Sequence, residues 1–151
     1  MASVQDIINS IERMAPLHLA EDWDNPGLMV GDRTQNVTGI VTSLDPTEAA
    51  VDFAIANDCN LVVTHHPFIF KGMKQIDLNS PQGRIIRKLV KHDIALYSAH
   101  TNLDIASGGL NDMLAERIGL TNVRGFVKTR SERYMKLVTF VPATHADAVR
   151  A

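Results

Sequence analysis

Two adjacent histidines, His65 and His66, follow the apolar run Leu61-Val62-Val63-Thr64. A second apolar run, Ile94-Ala95-Leu96-Tyr97, leads into Ser98-Ala99-His100-Thr101-Asn102-Leu103-Asp104. Between the runs, Ser80-Pro81 opens a helical pattern whose Ile85, Ile86, Leu89 and Val90 recur at the spacing of one helix face. A strand–helix–strand unit of this kind is nearly always a right-handed crossover between parallel strands. It brings the C-terminal ends of its strands side by side, where ligands collect in open α/β sheets. Three imidazoles and a carboxylate are therefore expected to meet at one edge.

The same alternation extends in both directions. Val4, Ile7, Ile8, Ile11, Met14 and Ala15 have helical spacing, with Ser3 as N-cap and Pro16 closing the helix. Residues 37–44 are short and β-branched and are read as a strand. Asp45-Pro46-Thr47-Glu48 reads as a helix start with Asp45 as cap, followed by Ala49, Ala50, Phe53, Ala54 and Ile55 as the apolar face. Residues 21–31, with the only tryptophan, read as a turn segment, and Trp23 as a core or interface anchor. Ser107 is expected to cap a helix with Leu110, Met113, Leu114 and Ile118 on one face and Gly119 as its stop. The expected fold class is α/β: three layers, with a largely parallel sheet flanked by helices.

Charge and length narrow the function classes. The 151 residues fit one ordinary domain, and the formal net charge of −2 comes without a basic stripe, so a nucleic-acid surface is not indicated. No apolar run is long enough to span a bilayer and the start lacks a signal-peptide pattern, so the expected location is cytoplasmic. Cys59 is the single cysteine, placed as a small buried hydrophobe.

His65, His66, His100 and Asp104 form a mixed nitrogen and oxygen donor set of the kind that binds zinc, iron or manganese. Consecutive residues of a straight strand face opposite ways, but at a strand end the chain turns and two neighbouring imidazoles can address two different ions; four ligands complete one site and fall short of two. His100 and Asp104, following a strand, are expected in a shaped loop. Asp45 ends the preceding strand but is assigned to the helix cap. Gly108 and Gly109 at a helix start form a candidate cradle for an anionic substrate group, and Lys71 and Lys74 on the loop 68–79 are further candidates to assist it. His18, His92 and His145 lack such context.

These segments resemble the NIF-three-like family of dinuclear-metal proteins, the type 2 GTP cyclohydrolase I homologues. The residues that carry the resemblance are Trp23-Asp24-Asn25-Pro26-Gly27-Leu28, Thr64-His65-His66-Pro67 with Phe70-Lys71-Gly72, the segment from Ser98 through Asp104, and Gly108-Gly109-Leu110-Asn111-Asp112. The resemblance implies that His65, His66, His100 and Asp104 are ligands of two divalent metal ions. It also implies a hexameric ring with the sites facing an internal cavity. Family members further carry a second half with a His-x-x-x-Glu motif, which nothing here matches. Residues 1–130 are accordingly expected to be an N-terminal α/β metal-binding lobe. Residues 131–151 are expected to be the truncated start of a further β–α unit, with a strand over 134–141 similar to that of an inserted ferredoxin-like domain.

The expected function is a metal-dependent hydrolase acting on a nucleotide or another phosphate-bearing substrate, of GTP cyclohydrolase type by resemblance. The alternative is a non-catalytic metal-binding ring or interaction protein.

Overall fold

The computed structural model describes residues 1–126 and 135–150. Its strands β1 (Gly27–Val30), β2 (Ile40–Ser43), β3 (Leu61–Thr64) and β4 (Ala95–Ser98) form one sheet in the order β1-β4-β3-β2. β2, β3 and β4 are parallel, as the crossover pattern requires, and β1 joins the edge antiparallel to β4. The helices are α1 (Val4–Met14), α2 (Glu48–Ala56), α3 (Pro81–Lys91), α4 (Thr101–Ile105), α5 (Leu110–Arg117) and α6 (Ala146–Arg150).

Side-chain alternation in the central strands divides the core in two. Leu61 of β3 with Ala95 and Tyr97 of β4 packs against Val4 and Ile8 of α1. Val62 and Leu96, one residue out of phase, pack with Val41 against Val51 and Ala54 of α2 and Ile85 and Leu89 of α3. Both faces of the sheet are thus covered, which is why β3 and β4 read as continuous apolar runs. Each fully buried Leu or Val contributes about 1.5–3 kcal/mol by leaving water. Three layers result, as expected from the sequence.

The local signals hold at α1, where the Ser3 hydroxyl accepts the Asp6 N–H and the Asp6 carboxylate accepts the Ser3 N–H. At α3 the Ser80 hydroxyl accepts the Gly83 N–H. An ion-pair cluster fastens α2 to α3: Lys88 lies 2.9 Å from Glu48 and 2.5 Å from Asp52, with Arg84 beside Glu48.

Several expectations need correction. The turn-like segment at residues 21–31 contains strand β1, because its apolar Leu28, Met29 and Val30 lie along β4. Gly31 follows with φ +121°, and a Cβ there would meet the Ala95 Cα at 2.6 Å, so only glycine lets the chain leave the sheet at that point. The strand expected over 37–44 shortens to β2. In α2 it is Val51, not Phe53, that enters the core; Phe53 is exposed. Cys59 is only partly buried, packed at the margin of the core. The α5 face is mostly outward, with Met113, Leu114 and Ile118 exposed and only Ala115 buried. Of the strand expected over 134–141, Tyr134 lies outside the described residues. Residues 135–141 pair with no strand among the described residues, and alternation without a paired neighbour does not hold one.

Candidate metal centre

The parallel ladder continues beyond β3. The His65 N–H donates to the Ser43 carbonyl (3.2 Å) and the His66 N–H to the Leu44 carbonyl (2.9 Å). Below them the buried Thr64 hydroxyl donates to the His66 carbonyl (2.9 Å) and meets the Ser98 hydroxyl (2.9 Å). The two backbones are fixed, and their rings turn to opposite neighbours. His65 Nδ1 donates to the Ala99 carbonyl past the end of β4 (2.9 Å); His66 Nδ1 donates to Asp45 Oδ1 past the end of β2 (2.7 Å).

His100 is the N-cap of α4, and its Nδ1 donates to Asp24 Oδ1 (2.8 Å). The three rings cluster, with centroids 5.1 Å (His65–His66), 5.2 Å (His65–His100) and 5.7 Å (His66–His100) apart. Each offers one ligand atom within 4.8 Å of the other two, an arrangement able to bind a metal ion. Carbonyl and carboxylate oxygens only accept, so Nδ1 carries the proton in all three neutral rings and the lone pair is left on Nε2. Metal-ligating histidines are ordinarily held in just this way, by an acceptor on the nitrogen that does not bind the metal.

Asp104 lies on the same side as His100. The expected loop is instead the short helix α4, where the Asp104 N–H donates to the His100 carbonyl (3.2 Å), one helical turn apart. Asp104 Oδ1 comes to 3.8 Å from His65 Nε2, the nitrogen that is left free. The helix is seated by Asn102, fully buried, which donates to the Ala15 carbonyl (2.7 Å) and accepts the His100 N–H (2.9 Å).

Asp24 carries no signal in the sequence that singles it out for this site, and Asp45, which ends a strand at the same edge, is expected there as a helix cap instead. Continuing the antiparallel register past the Gly27–Ser98 pair brings Asp24 opposite Thr101. Its carboxylate accepts the Thr101 N–H (3.1 Å) and hydroxyl (2.5 Å), the Asn25 N–H (2.7 Å) and His100 Nδ1. Burial by itself would raise the Asp24 carboxyl, but these hydrogen bonds outweigh it and hold the group below its ordinary value. Asp45 is not the cap of α2. Thr47 is, accepting the Ala50 N–H (3.1 Å), which frees the Asp45 carboxylate for His66.

The remaining candidates are not members of the three-histidine cluster. The Gly108 N–H donates to the Asp112 carboxylate (2.6 Å) and the Gly109 N–H to the Ala106 carbonyl (2.9 Å), so neither amide is free for an anion. Gly109, rather than Ser107, occupies the N-cap position of α5. A Cβ on Gly109 would lie 2.0 Å from the Leu103 carbonyl oxygen, so close approach to α4 is reason enough for glycine there. Lys71 lines a cavity of about 440 Å³ with Phe68, Phe70, Lys74, Gln75 and Gln82. Trp23 is 60 % exposed and is no core anchor.

Comparison with known proteins places these features. A family model described as Duf34/NIF3 (NGG1p interacting factor 3) matches residues 2–149. The chain belongs to the Duf34/NIF3 family. Among curated relatives, the GTP cyclohydrolase 1 type 2 homolog of Halalkalibacterium halodurans is 41% identical over 150 residues, 99% of this chain and 40% of the relative. That of Bacillus subtilis is 40% identical over 147 residues, 97% of this chain and 39% of the relative. The chain thus spans about two fifths of the curated relatives it matches.

Solved structures share the fold. Staphylococcus aureus protein SA1388 is 44% identical with a TM-score of 0.76, covering 80% of this chain and 39% of that one. Reduced HcgD from Methanocaldococcus jannaschii is 35% identical with a TM-score of 0.78, covering 85% of this chain and 51% of that one. No helix among the described residues is long and apolar enough to cross a membrane.

Proposed function

We propose that this Duf34/NIF3 chain contributes to a dinuclear metal centre, with His65, His66, His100 and Asp104 as ligands, in a hydrolase acting on a nucleotide or another phosphate-bearing substrate. The observation that carries the metal reading is the shared orientation of the three imidazoles. Each Nδ1 is bound to its own acceptor and each Nε2 is left as the donor atom of a cluster. Asp104 beside His65 Nε2 adds an oxygen donor, and the set suits zinc, iron or manganese. Bound divalent ions would supply Lewis-acid polarisation of a substrate oxygen and orient the reacting groups.

The protein's own part is orientation. Asp45 and Asp24 fix the rings of His66 and His100, and the buried Thr64–Ser98 hydroxyl pair fixes the backbone beneath. Two catalytic ions ordinarily take about three protein ligands each, so the second ion calls for ligands beyond these four. The greater length of the curated relatives leaves room for them. The names of those relatives support a nucleotide as substrate. Exposed Met113 and Leu114 on α5, with Ile118 at its C-cap, support an assembly, for which we propose a homo-oligomeric ring.

A metal-binding ring without turnover is the second reading. It is favoured by the engagement of Asp24 and Asp45 with ring nitrogens, which leaves neither as a free general base. Metal analysis together with turnover of a nucleotide and phosphodiester panel separates the two. The hydrolase reading expects metal-dependent turnover that His66→Ala abolishes while the oligomer stays intact. Tight metal binding with no turnover on that panel would leave the ring reading standing alone.

A further inference from the structure

The loop after His66 is tied to the segment before β1. Asn25 donates its side-chain amide to the Ile69 carbonyl (2.5 Å), and Trp23 meets Phe70 with ring centroids 5.9 Å apart at 57°. Trp23 also meets His100 edge-on, at 6.3 Å and 77°. An aromatic wall therefore runs from the histidine cluster outward. Both of its large rings are open to solvent, Trp23 at 60 % and Phe70 at 44 %. Exposed apolar surface of this size beside a site costs hydration free energy unless something covers it.

Phe70 is also a wall of the cavity of about 440 Å³, a volume ordinary for a small-ligand site. The polar groups of its lining are Lys71, Lys74, Gln75 and Gln82. Among the described residues neither lysine has an ion-pair partner, while Lys88 on α3 has two. Two unpaired ammonium groups beside open aromatic faces combine the needs of one ligand class: a planar heteroaromatic ring joined to a phosphate. The ring would stack on the Trp23–Phe70 wall, and the phosphate would meet Lys71 and Lys74.

We propose that Trp23, Phe70, Lys71 and Lys74 form the binding site for the base and phosphate of a nucleotide, linked to the histidine cluster through the contact of Trp23 with His100. This rests on the reading of the cluster as the reaction centre, but its binding step needs no metal. The protein contains one tryptophan, so its fluorescence reports this site alone. Titration of the metal-free chain with GMP is expected to quench that fluorescence saturably, and ribose 5-phosphate is expected not to.

The double variant Lys71→Ala/Lys74→Ala is expected to weaken GMP binding by about tenfold or more while leaving guanosine binding unchanged, as loss of charge-assisted contacts requires. Phe70→Leu is expected to weaken both ligands, and His66→Ala neither. Absence of quenching by GMP in a chain of native circular dichroism would overturn the proposal. So would equal quenching by ribose 5-phosphate, or GMP binding indifferent to the lysines. Saturable quenching without turnover would keep this site and remove the hydrolase reading; turnover with a KM unaffected by Phe70→Leu would do the reverse.

Discussion

Asp24 Oδ1 lies 2.8 Å from His100 Nδ1, and no part of the Asp24 side chain reaches solvent. The bond occupies His100 Nδ1 and leaves Nε2 as the ring's free nitrogen. Asp24→Asn keeps the shape but removes the charge, and an amide nitrogen facing Nδ1 would reverse the tautomer. Loss of such a supporting contact typically lowers metal affinity about 10–100-fold. Competition titration against a chromophoric chelator should find a loss of that size for zinc. Unchanged affinity would remove Asp24 from the site.

Asp45 and Thr47 separate two roles that lie two residues apart. Asp45→Ala should weaken metal binding, because it frees the His66 ring, while leaving α2 nearly as stable as before. Thr47→Ala should do the opposite, costing about 1 kcal/mol in urea unfolding through the lost cap and leaving metal affinity alone. If Asp45→Ala destabilises the fold as a cap variant does and metal affinity holds, the assignment is reversed.

Gly109→Ala tests whether that glycine serves packing. Its new Cβ would fall 2.0 Å from the Leu103 carbonyl oxygen and 2.7 Å from that of Ala106, both backbone atoms. The start of α5 must then move off α4, with an expected cost of about 1–3 kcal/mol. Equilibrium urea unfolding of Gly109→Ala against the parent chain measures it. A neutral result would show that α5 shifts freely.

Tyr97 predicts the alkaline behaviour. Its side chain is buried beneath α1, and burial, with the charge and hydrogen bond of Glu12 (3.3 Å), pushes its phenol well above the ordinary value. The folded state therefore holds its proton more tightly than the unfolded state, so stability falls as pH rises. The contribution is fully present below about pH 10, the unfolded phenol's value, and is lost progressively from there toward the raised folded value. Urea midpoints between pH 8 and 11 should decline, and Tyr97→Phe should flatten the decline. Identical slopes for the two proteins would refute the assignment.

What could be read from the chain in advance follows from how local each signal is. The apolar runs of β3 and β4 and the spacing of Ile85 and Leu89 encode burial within a few residues, and the α/β class comes with them. The histidine pair at a strand end marks, for the same reason, the edge of the sheet where the three imidazoles cluster. α4 was misjudged because five residues carry little helical pattern; the buried Asn102, bonded to Ala15 at a separation of 87 residues, holds it.

Sequence alone determined the layers, the parallel strands and the grouping of His65, His66 and His100. Tertiary structure alone decided which nitrogen each imidazole presents. That choice rests on Asp24, 76 residues from His100, and Asp45, 21 residues from His66. Their carboxylates arrive through the antiparallel register of β1 on β4 and the parallel register of β2 on β3. Hydrophobic burial is non-directional and is written into local periodicity. A hydrogen bond to one ring nitrogen is directional, and only a completed sheet can aim it.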